Sequence, residues 1–290
     1  MAFRTLVIKS RCKIEYSLNY LILKKENDVT RVLMDEIKTL VIDSNQVVLT
    51  AALISQCIIN KVKIIFTDSK HNPIGESIGY DNNFYTYRKI KEQLSWTEDC
   101  KNRLWQYIII QKIQNQAKVL KYSGLKESYN KLLDYSNEVS QGDLSNREGH
   151  AAKVYFNSLF GKEFNRDLDN FENKVLNYGY SILLSCINRE IKILGYLTEI
   201  GIHHIGESNS FNLSCDFIEP LRPLVDSLLS RKLVKEEDFK AICINLLSKE
   251  VKYNGQSIIL DNAIRLYVED LLSYLKTNDE SKIRFIEYEF

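Results

Sequence analysis

The chain has 290 residues, of which 44% are hydrophobic and 11% aromatic, with only three prolines and 11 glycines. This composition is sufficient for an extensive hydrophobic core and excludes a largely disordered chain. The 39 basic and 38 acidic side chains give a formal net charge of +1, which disfavours a strongly basic, stand-alone DNA-binding domain. The near-neutral balance fits better with a protein that shares its DNA with partner proteins.

The first part of the chain, up to about residue 70, is predicted to be rich in β-strands. Short apolar runs separated by polar, turn-forming residues occur at 5–8, 21–23, 40–42, 47–49 and 62–66. One helix is predicted to interrupt them over residues 50–60, because Thr50 is a suitable N-cap. Apolar residues follow it at helical spacing, at Leu53, Cys57 and Ile58.

Beyond residue 83 the apolar period changes to three and four residues, which predicts long amphipathic helices. The two clearest stripes are Leu104, Ile108, Ile109, Ile113, Ala117 and Leu120, and then Leu176, Tyr180, Leu183, Leu184, Ile187 and Ile191. The segment 71–80, which contains Pro73 and Gly75, is the expected junction. We therefore predict an α+β protein, with a small N-terminal β-rich domain at 1–75 and a larger all-helical domain at 76–290.

Six cysteines are scattered along the chain without any Cys-x-x-Cys pair, and several lie in apolar stretches. We interpret them as buried free thiols in a reducing compartment rather than as disulfides or zinc ligands. The first residues lack the apolar core of a signal peptide, and no apolar run approaches the length of a membrane span. We therefore expect a cytoplasmic protein that has no membrane partner.

Three short segments far apart in the chain carry side chains suited to a metal site. They are NREGHAA at 146–152, GIHH at 201–204 and DFIEPLRP at 216–223. Their candidate ligands are the carboxylates of Glu148, Asp216 and Glu219 and the imidazoles of His203 and His204. Two carboxylates and one imidazole can hold one divalent ion and leave positions open for phosphate oxygens. This combination indicates an enzyme that acts on phosphodiester bonds.

Glu148 and the histidines also have ordinary structural explanations. Glu148 lies three residues after Ser145, in the position of a capping box, where it could simply stabilise the start of a helix. A lone histidine is more often a packed or surface residue than a ligand. His203 and His204, however, follow a helical run and precede a polar stretch, and a loop at the end of a helix can direct a ligand toward an ion.

The third segment has two alternatives. In a helix, Asp216 and Glu219 would lie on one face, and such pairs are usually solvated. Pro220 and Pro223 indicate instead an irregular, fixed segment, in which Arg222 is placed to contact an anion.

Residues 85–91 interleave aromatic and basic side chains, a combination typical of surfaces that bind single strands or DNA ends. An ordinary solvated helix face is the alternative explanation. Further phosphate contacts are predicted outside this segment. The predicted DNA and phosphate contacts are Tyr85, Arg88, Lys89, Arg147, Lys162, Arg166, Arg189 and Arg222.

The order and spacing of the segments resemble one known family. NREGHAA at 146–152, LNYGY at 176–180, His204 and DFIEPLRPLVD at 216–226 are similar to the CRISPR adaptation integrase, the Cas-one family. The resemblance covers essentially the whole chain. The short N-terminus, the length and SNREGH at 145–150 are most similar to the form that accompanies type II-A systems.

The resemblance implies that Glu148, His204 and Glu219 are the catalytic residues and hold Mg²⁺ or Mn²⁺. Asp216 lies where the family often has another acidic residue, which makes it an auxiliary or alternative ligand. The family also implies an N-terminal domain that forms most of a homodimer interface and a C-terminal domain that carries catalysis.

Partners are implied by the same resemblance. Two homodimers would be bridged by a Cas-two dimer, and the complex would insert a short double-stranded protospacer into the leader-proximal repeat of the CRISPR array. In type II-A systems the effector nuclease and a ring-shaped DNA-binding adaptation protein are further expected partners.

The expected reaction is a transesterification in which a DNA 3′-hydroxyl attacks a target phosphate with the help of the divalent ion and without a protein nucleophile. Two alternatives remain open. A metal-dependent nuclease of branched DNA would use the same site with water as the nucleophile, and a non-catalytic scaffold would only hold DNA ends.

Overall fold

The structure, a computed structural model, describes residues 4–26, 28–68, 73–77, 79 and 86–289. The chain divides into two compact units, Met1–Phe84 and Tyr85–Phe290. Several residues of the predicted junction lie outside the described ranges, so the boundary between residues 75 and 76 stays a prediction. A β-rich first unit and a mainly helical second unit confirm the α+β fold class.

Within the described residues, the first unit contains eight strands and one α-helix. The strands are β1 (Arg4–Ile8), β2 (Cys12–Ser17), β3 (Tyr20–Lys25), β4 (Asp28–Leu33), β5 (Ile37–Ile42), β6 (Val47–Leu49), β7 (Lys63–Thr67) and β8 (Pro73–Glu76), and the helix is α1 (Ala51–Ile59). They form two four-stranded sheets, in the orders β1-β5-β7-β8 and β4-β3-β2-β6. The pairs β1–β5, β5–β7 and β2–β6 are parallel, and the other pairs are antiparallel.

The core of the first unit draws on both sheets and on α1. Ile14, Leu21, Leu40, Leu53 and Ile64 have 0% of their surface exposed, and they belong to β2, β3, β5, α1 and β7 in turn. Removal of this apolar surface from water is the main term that stabilises the unit.

Strands β1, β3, β5, β6 and β7 confirm the predicted strands, and α1 confirms the predicted helix. Thr50 caps α1 as expected, because its Oγ1 accepts a hydrogen bond from Leu53 N at 3.2 Å. The prediction missed β2, although Cys12 and Ile14 alternate with polar residues there. It also missed β4, an edge strand whose first four residues are exposed and which therefore lacks an apolar period.

The second unit contains, within the described residues, nine α-helices and one β-hairpin. The helices are α2 (Thr86–Leu94), α3 (Glu98–Tyr122), α4 (Lys126–Asn137), α5 (Arg147–Phe160), α6 (Phe171–Ile193), α7 (Asn212–Ile218), α8 (Arg222–Ser230), α9 (Phe239–Asn245) and α10 (Leu260–Thr277), and the hairpin strands are β9 (Glu250–Tyr253) and β10 (Gln256–Ile259).

Helices α3 and α6 form the centre of this unit. Every residue of the apolar stripe predicted for α3 is fully buried. The stripe predicted for α6 is buried as well, except that Leu184 is half-buried. Both long helices therefore confirm the three- and four-residue period. The hairpin β9–β10 was not predicted.

The prediction of the start of α5 was wrong. The N-cap is Asn146 rather than Ser145, and the Asn146 side chain accepts a hydrogen bond from Gly149 N at 3.2 Å. Asn146 adopts a left-handed conformation with φ of 51°, which asparagine tolerates better than most residues. Glu148 is thus not in capping-box position, and the cap does not need its carboxylate.

The interpretation of residues 216–223 as irregular was also wrong. Helix α7 continues through a 3₁₀ turn, Glu219–Leu221, directly into α8. Pro220 and Pro223 both lie in a first helical turn, where the missing N–H has no intrahelical partner to lose.

All six cysteines are free, and five of them are buried, which confirms the interpretation as thiols. Among the described residues, no helix combines the length and hydrophobicity that crossing a membrane requires. The cytoplasmic location stays a prediction.

Candidate active site

The ammonium group of Lys112 lies at the centre of the candidate site. Its Nζ contacts Glu148 Oε1 at 2.5 Å and also forms an ion pair with Glu219 Oε2. Lys112 extends from α3 and is only 7% exposed. The structure therefore brings two of the predicted ligand carboxylates, from α5 and from the turn before α8, onto one cation.

The start of α5 is fixed by side chains that leave Glu148 free. Asp143 accepts hydrogen bonds from Arg147 N at 2.8 Å and from Glu148 N at 3.0 Å. Asn146 accepts the next N–H of the helix, that of Gly149. Because these otherwise unpaired N–H groups are satisfied, the Glu148 carboxylate is available to face Lys112.

Glu219 is a buried anion held between two cations. Its Oε1 accepts a hydrogen bond from Arg222 Nε at 2.9 Å, while Oε2 faces Lys112. Burial alone raises the pKa of Glu219, but Arg222 and Lys112 outweigh it and lower the pKa to about 2. Burial likewise lowers the pKa of Lys112, but Glu219 and Glu148 outweigh it, so the net shift is upward.

The turn that carries Glu219 is held from outside the helix. The Pro220 carbonyl accepts hydrogen bonds from Asn115 Nδ2 at 2.9 Å and from the Tyr288 hydroxyl at 2.6 Å. Asn115 belongs to α3, three residues after Lys112. The helix that supplies the cation therefore also fixes the position of its partner carboxylate.

Asp216 organises the loop that contains His204. Its Oδ2 accepts hydrogen bonds from Ile202 N at 2.7 Å and His203 N at 3.2 Å, and its Oδ1 accepts from His204 N at 3.0 Å. Asp216 Oδ1 also lies 2.7 Å from His204 Nδ1. Since a carboxylate only accepts, Nδ1 carries the proton, and Nε2 is left to meet a cation. This hydrogen bond is the main cause that raises the pKa of His204.

Gly201 and Trp105 complete this loop. A Cβ at Gly201 would clash with the His204 carbonyl oxygen and lie 2.7 Å from Asp216 Oδ2, so only glycine lets the loop close on the carboxylate. Trp105 stacks on His203, with ring centroids 4.0 Å apart and planes 5° apart, and meets His204 edge-on at 5.8 Å. His203 is thus a packing residue, and burial lowers its pKa.

A cavity of about 230 Å³ opens beside Lys112. Its charged lining residues are Lys112, Arg166 and Arg222, together with Glu148, Glu219 and Asp226. The Tyr180 ring, also in the lining, has the Arg222 guanidinium 4.7 Å and the Arg166 guanidinium 5.5 Å from its centroid. Arg166, Arg222 and the Tyr180 ring form one wall of the cavity, and two guanidinium groups side by side suit an anion such as a phosphate group.

Asp226 anchors that wall from within the core. Its carboxylate, 1% exposed, accepts hydrogen bonds from the hydroxyls of Tyr155, at 2.9 Å, and Tyr180. Burial raises the pKa of Asp226 to about 6, against the effect of these hydrogen bonds. The Tyr180 ring is thereby fixed in the position where it carries both guanidinium groups.

Several predicted DNA contacts have partners inside the protein. The prediction for Arg189 was wrong, because this residue is buried in ion pairs with Glu190 and Asp261. Arg222 pairs with Glu219, and Arg166 donates hydrogen bonds to Asn173 and Asn177.

Arg147 pairs with Glu138 at 2.9 Å. Lys89 donates a hydrogen bond to the Tyr196 hydroxyl at 2.9 Å and also pairs with Glu92 at 3.4 Å. Neither lines the cavity beside Lys112.

The remaining predicted DNA contacts lie elsewhere. Arg88 and Lys162 are exposed, as is Tyr87, whose exposed fraction is 81%. Tyr85 lies outside the described residues. Of the predicted DNA contacts, the structure places only Arg166 and Arg222 beside the carboxylates, and contacts with DNA stay predictions.

The sequence interpretation missed Lys112, although a signal was present. Lys112 interrupts the apolar stripe of α3, since it follows Ile108 by four residues and precedes Ile113 by one. A charged residue inside an apolar stripe is buried, and buried charges are almost always paired. Trp105 carried no comparable signal, because the histidine it stacks on is distant in the sequence. Asp143 was also missed, although the N–H groups it accepts from are only four and five residues away.

The donor set fits a divalent ion, although the side chains are not arranged around one. No group of three or more His, Cys, Asp or Glu side chains in the described part of the chain is placed to hold a metal ion as it stands. Lys112 takes the position on which Glu148 and Glu219 converge. Two carboxylates and an imidazole suit Mg²⁺ or Mn²⁺, and a histidine oriented by a carboxylate, as His204 is by Asp216, is typical of metal ligands.

Together, the fold and the cluster define a class of two-part α+β proteins with an acid–histidine site in the helical part. The family model of the CRISPR associated protein Cas1 matches residues 5–250. The chain therefore belongs to the Cas1 family, as the resemblance predicted.

Individual relatives agree with this assignment. The chain is 34% identical over 226 residues to a "CRISPR-associated endonuclease Cas1" from Neisseria meningitidis serogroup C (strain 8013), covering 78% of this chain and 74% of that protein. The assignment to the type II-A form stays a prediction.

Two solved structures share the fold at low sequence identity. One, a "Cas6-RT-Cas1--Cas2 complex", aligns with a TM-score of 0.78 at 18% identity and covers 99% of this chain but only 36% of that longer chain. The other, a "Casposase bound to integration product", aligns with a TM-score of 0.76 at 19% identity, over 99% of this chain and 95% of the other.

Proposed function

We propose that this protein is a metal-dependent DNA integrase of CRISPR adaptation. It would join the 3′-hydroxyl ends of a short protospacer to the leader-proximal repeat of the array by transesterification. The observation that carries the proposal is the convergence of Glu148 and Glu219 on one cation in a member of the Cas1 family. The structural likeness to a casposase bound to its integration product supports the choice of reaction.

The metal would be held by Glu148, Glu219 and the Nε2 of His204. When bound, Mg²⁺ or Mn²⁺ polarises a phosphate and lowers the pKa of an attacking hydroxyl. Asp216 is the less suitable ligand, because both of its oxygens already accept hydrogen bonds from the 202–204 loop. Its role would be to orient His204.

The chain's own residues would then bind and position the phosphate. Arg222 and Arg166 face the cavity beside the carboxylates, where they would bind non-bridging oxygens of the target strand. Tyr180, held by Asp226, would keep both guanidinium groups in place. No side chain in this arrangement needs to act as a nucleophile, since a DNA hydroxyl supplies that group.

The proposed partners follow from the family. A homodimer and a bridging Cas2 dimer are proposed, and the structural likeness to a Cas6-RT-Cas1–Cas2 complex supports the second. Protospacer DNA and leader-repeat DNA would be the substrates. The type II-A effector nuclease and the ring-shaped adaptation protein belong to the same proposal.

A strand-transfer assay tests the function. Purified protein, its Cas2 partner, a short duplex with free 3′-hydroxyls and a supercoiled plasmid with leader and repeat are incubated with Mn²⁺ or Mg²⁺. We expect covalent joining that disappears in Glu148→Ala and persists in the control Glu127→Ala, which changes an exposed glutamate on α4. A fully active Glu148→Ala protein would contradict the site.

Nicking without joining would instead favour a nuclease, the activity in the name of the Neisseria relative. Cleavage of branched DNA that requires Glu148 would then replace integration as the function. Absence of both activities, with DNA binding retained, would favour a scaffold that holds DNA ends.

A further inference from the structure

We infer that Lys112 is a placeholder cation: it neutralises the two ligand carboxylates in the metal-free protein and must be displaced when a divalent ion enters. This inference rests on the proposed function, because it assigns a role to Lys112 in the same site. It makes Lys112 a positioning residue that sets the affinity of the site for metal.

The contacts of Lys112 show that it bridges the two carboxylates. Lys112 Nζ is the ion-pair partner of Glu148 and of Glu219 at once. The Lys112 side chain is 8% exposed and that of Glu219 is 7% exposed, so little water reaches their contact, whereas the Glu148 side chain is 33% exposed. Without the lysine, the carboxylates would repel one another across the site. Lys112 thus holds the ligands at the spacing at which a cation is bound.

A metal ion and the ammonium group cannot share this position. A divalent ion held by Glu148 and Glu219 would compete with the ammonium group for the same carboxylate oxygens, and two cations close together repel. Metal binding therefore has to break at least one contact of Lys112. The energy of the broken contact weakens the observed metal affinity, as in any competition for one site.

Gln116 provides a place to which the ammonium group can move. It is one helical turn after Lys112 on α3, so the two side chains lie on the same face. Both line the cavity of about 230 Å³. Gln116 is 2% exposed, and within the described residues its Oε1 has no hydrogen-bond partner. A buried carbonyl oxygen without a partner is costly, and a displaced ammonium group would satisfy it.

Calorimetric titration with Mn²⁺ alone tests the competition. We expect Lys112→Met to bind Mn²⁺ on the order of tenfold more tightly than the wild type, within the usual range of coupling between ligands. Lys121→Met, the same change at an exposed lysine on the same helix and outside the cavity lining, should leave the affinity unchanged. Equal or weaker binding by Lys112→Met would overturn the inference while leaving the proposed metal site intact.

The variant Glu148→Ala separates this failure from that of the proposed function. If the wild type and Lys112→Met both fail to bind Mn²⁺, or if binding survives in Glu148→Ala, the metal site itself is wrong and the inference fails with it. The strongest support for the inference would be Mn²⁺ binding by Lys112→Met but not by the wild type. This binding should be lost in the double variant that also carries Glu148→Ala.

A second measurement uses only the wild type, in case Lys112→Met does not fold. Crystal structures without and with Mn²⁺ should show Nζ on both carboxylates in the first and moved toward Gln116 Oε1 in the second. An unmoved Lys112 beside a bound ion would overturn the placeholder role.

Discussion

Some residues of the candidate site contact the Lys112 ammonium group directly, and others hold neighbouring side chains in place. Glu148 and Glu219 contact Lys112 directly. Asp216 and Asp226, both almost completely buried, act through their neighbours: the first accepts hydrogen bonds from the loop of His204, and the second from Tyr180. The buried aspartates therefore fix the positions of the His204 loop and of the Tyr180 ring.

Asp216→Asn should release His204. The amide has one acceptor oxygen, so a backbone N–H or the His204 ring loses its partner, which destabilises the fold by about 1–3 kcal/mol. The pKa of His204 should fall, because the hydrogen bond to Asp216 is the largest cause that raises it above its ordinary value of 6.5. An NMR titration of the metal-free protein measures this, with Asp169→Asn, at an exposed aspartate, as the control. An unchanged His204 pKa would contradict the proposed orientation.

The raised pKa of Asp226 predicts how the stability of the protein depends on pH. Its pKa is raised from 3.8 to about 6 in the folded protein, so between these values the folded state binds the proton more tightly than the unfolded state. Its contribution is therefore complete below about pH 4 and is lost as the pH rises through about 6, by up to about 3 kcal/mol. Urea unfolding at several pH values should show the wild type losing stability relative to Asp226→Asn over this interval. A pH-independent difference would mean that Asp226 ionises normally.

At the level of helices and strands, the site depends on close packing of helices. Gly179 on α6 lies against Val225 on α8, and a Cβ there would come within 2.5 Å of Val225 Cγ1. Since α8 follows the turn that carries Glu219, a shift of α8 would displace one ligand carboxylate. The glycine is thus required by the distance between the two helices rather than by its own conformation.

Gly179→Ala tests this packing. We expect a net loss of about 1–3 kcal/mol from overpacking, despite the better helix propensity of alanine. Gly179→Ala combined with Val225→Ala should recover part of the loss, because the second change removes the clashing methyl groups. Chemical denaturation of the two single variants and the double variant measures the coupling. Additive effects would show that the two helices do not compete for this space.

The candidate site lies in one of the two units of the chain. All residues of the candidate site belong to the second unit, although they come from α3, α5, α6, α7, α8 and the segments between these helices. The first unit contributes two sheets with their own core. The candidate site therefore lies in the helical part, to which the resemblance implies that catalysis belongs. The homodimer proposed for the β-rich part stays a prediction.

Local patterns in the sequence were enough to establish the fold class and to identify the candidate ligands. Period-two and period-3.6 patterns depend on neighbouring residues, so β1, β3, α1, α3 and α6 could be predicted from local spacing. The segments at 146–152, 201–204 and 216–223 likewise pointed to one site. Local rules failed where two side chains compete for one role, as at the N-cap of α5, where Asn146 replaces Ser145.

Which groups meet depends instead on contacts between residues far apart in the chain. Lys112 lies between Glu148 and Glu219, and Asp216 lies beneath the loop of His204, and neither arrangement could be predicted. Such contacts leave no periodic trace in the sequence, because a buried charge is defined by its partner and not by its neighbours along the helix. The distinction between a ligand carboxylate and one that orients a ligand, Glu219 against Asp216, has the same origin: it depends on which hydrogen bonds each oxygen already accepts.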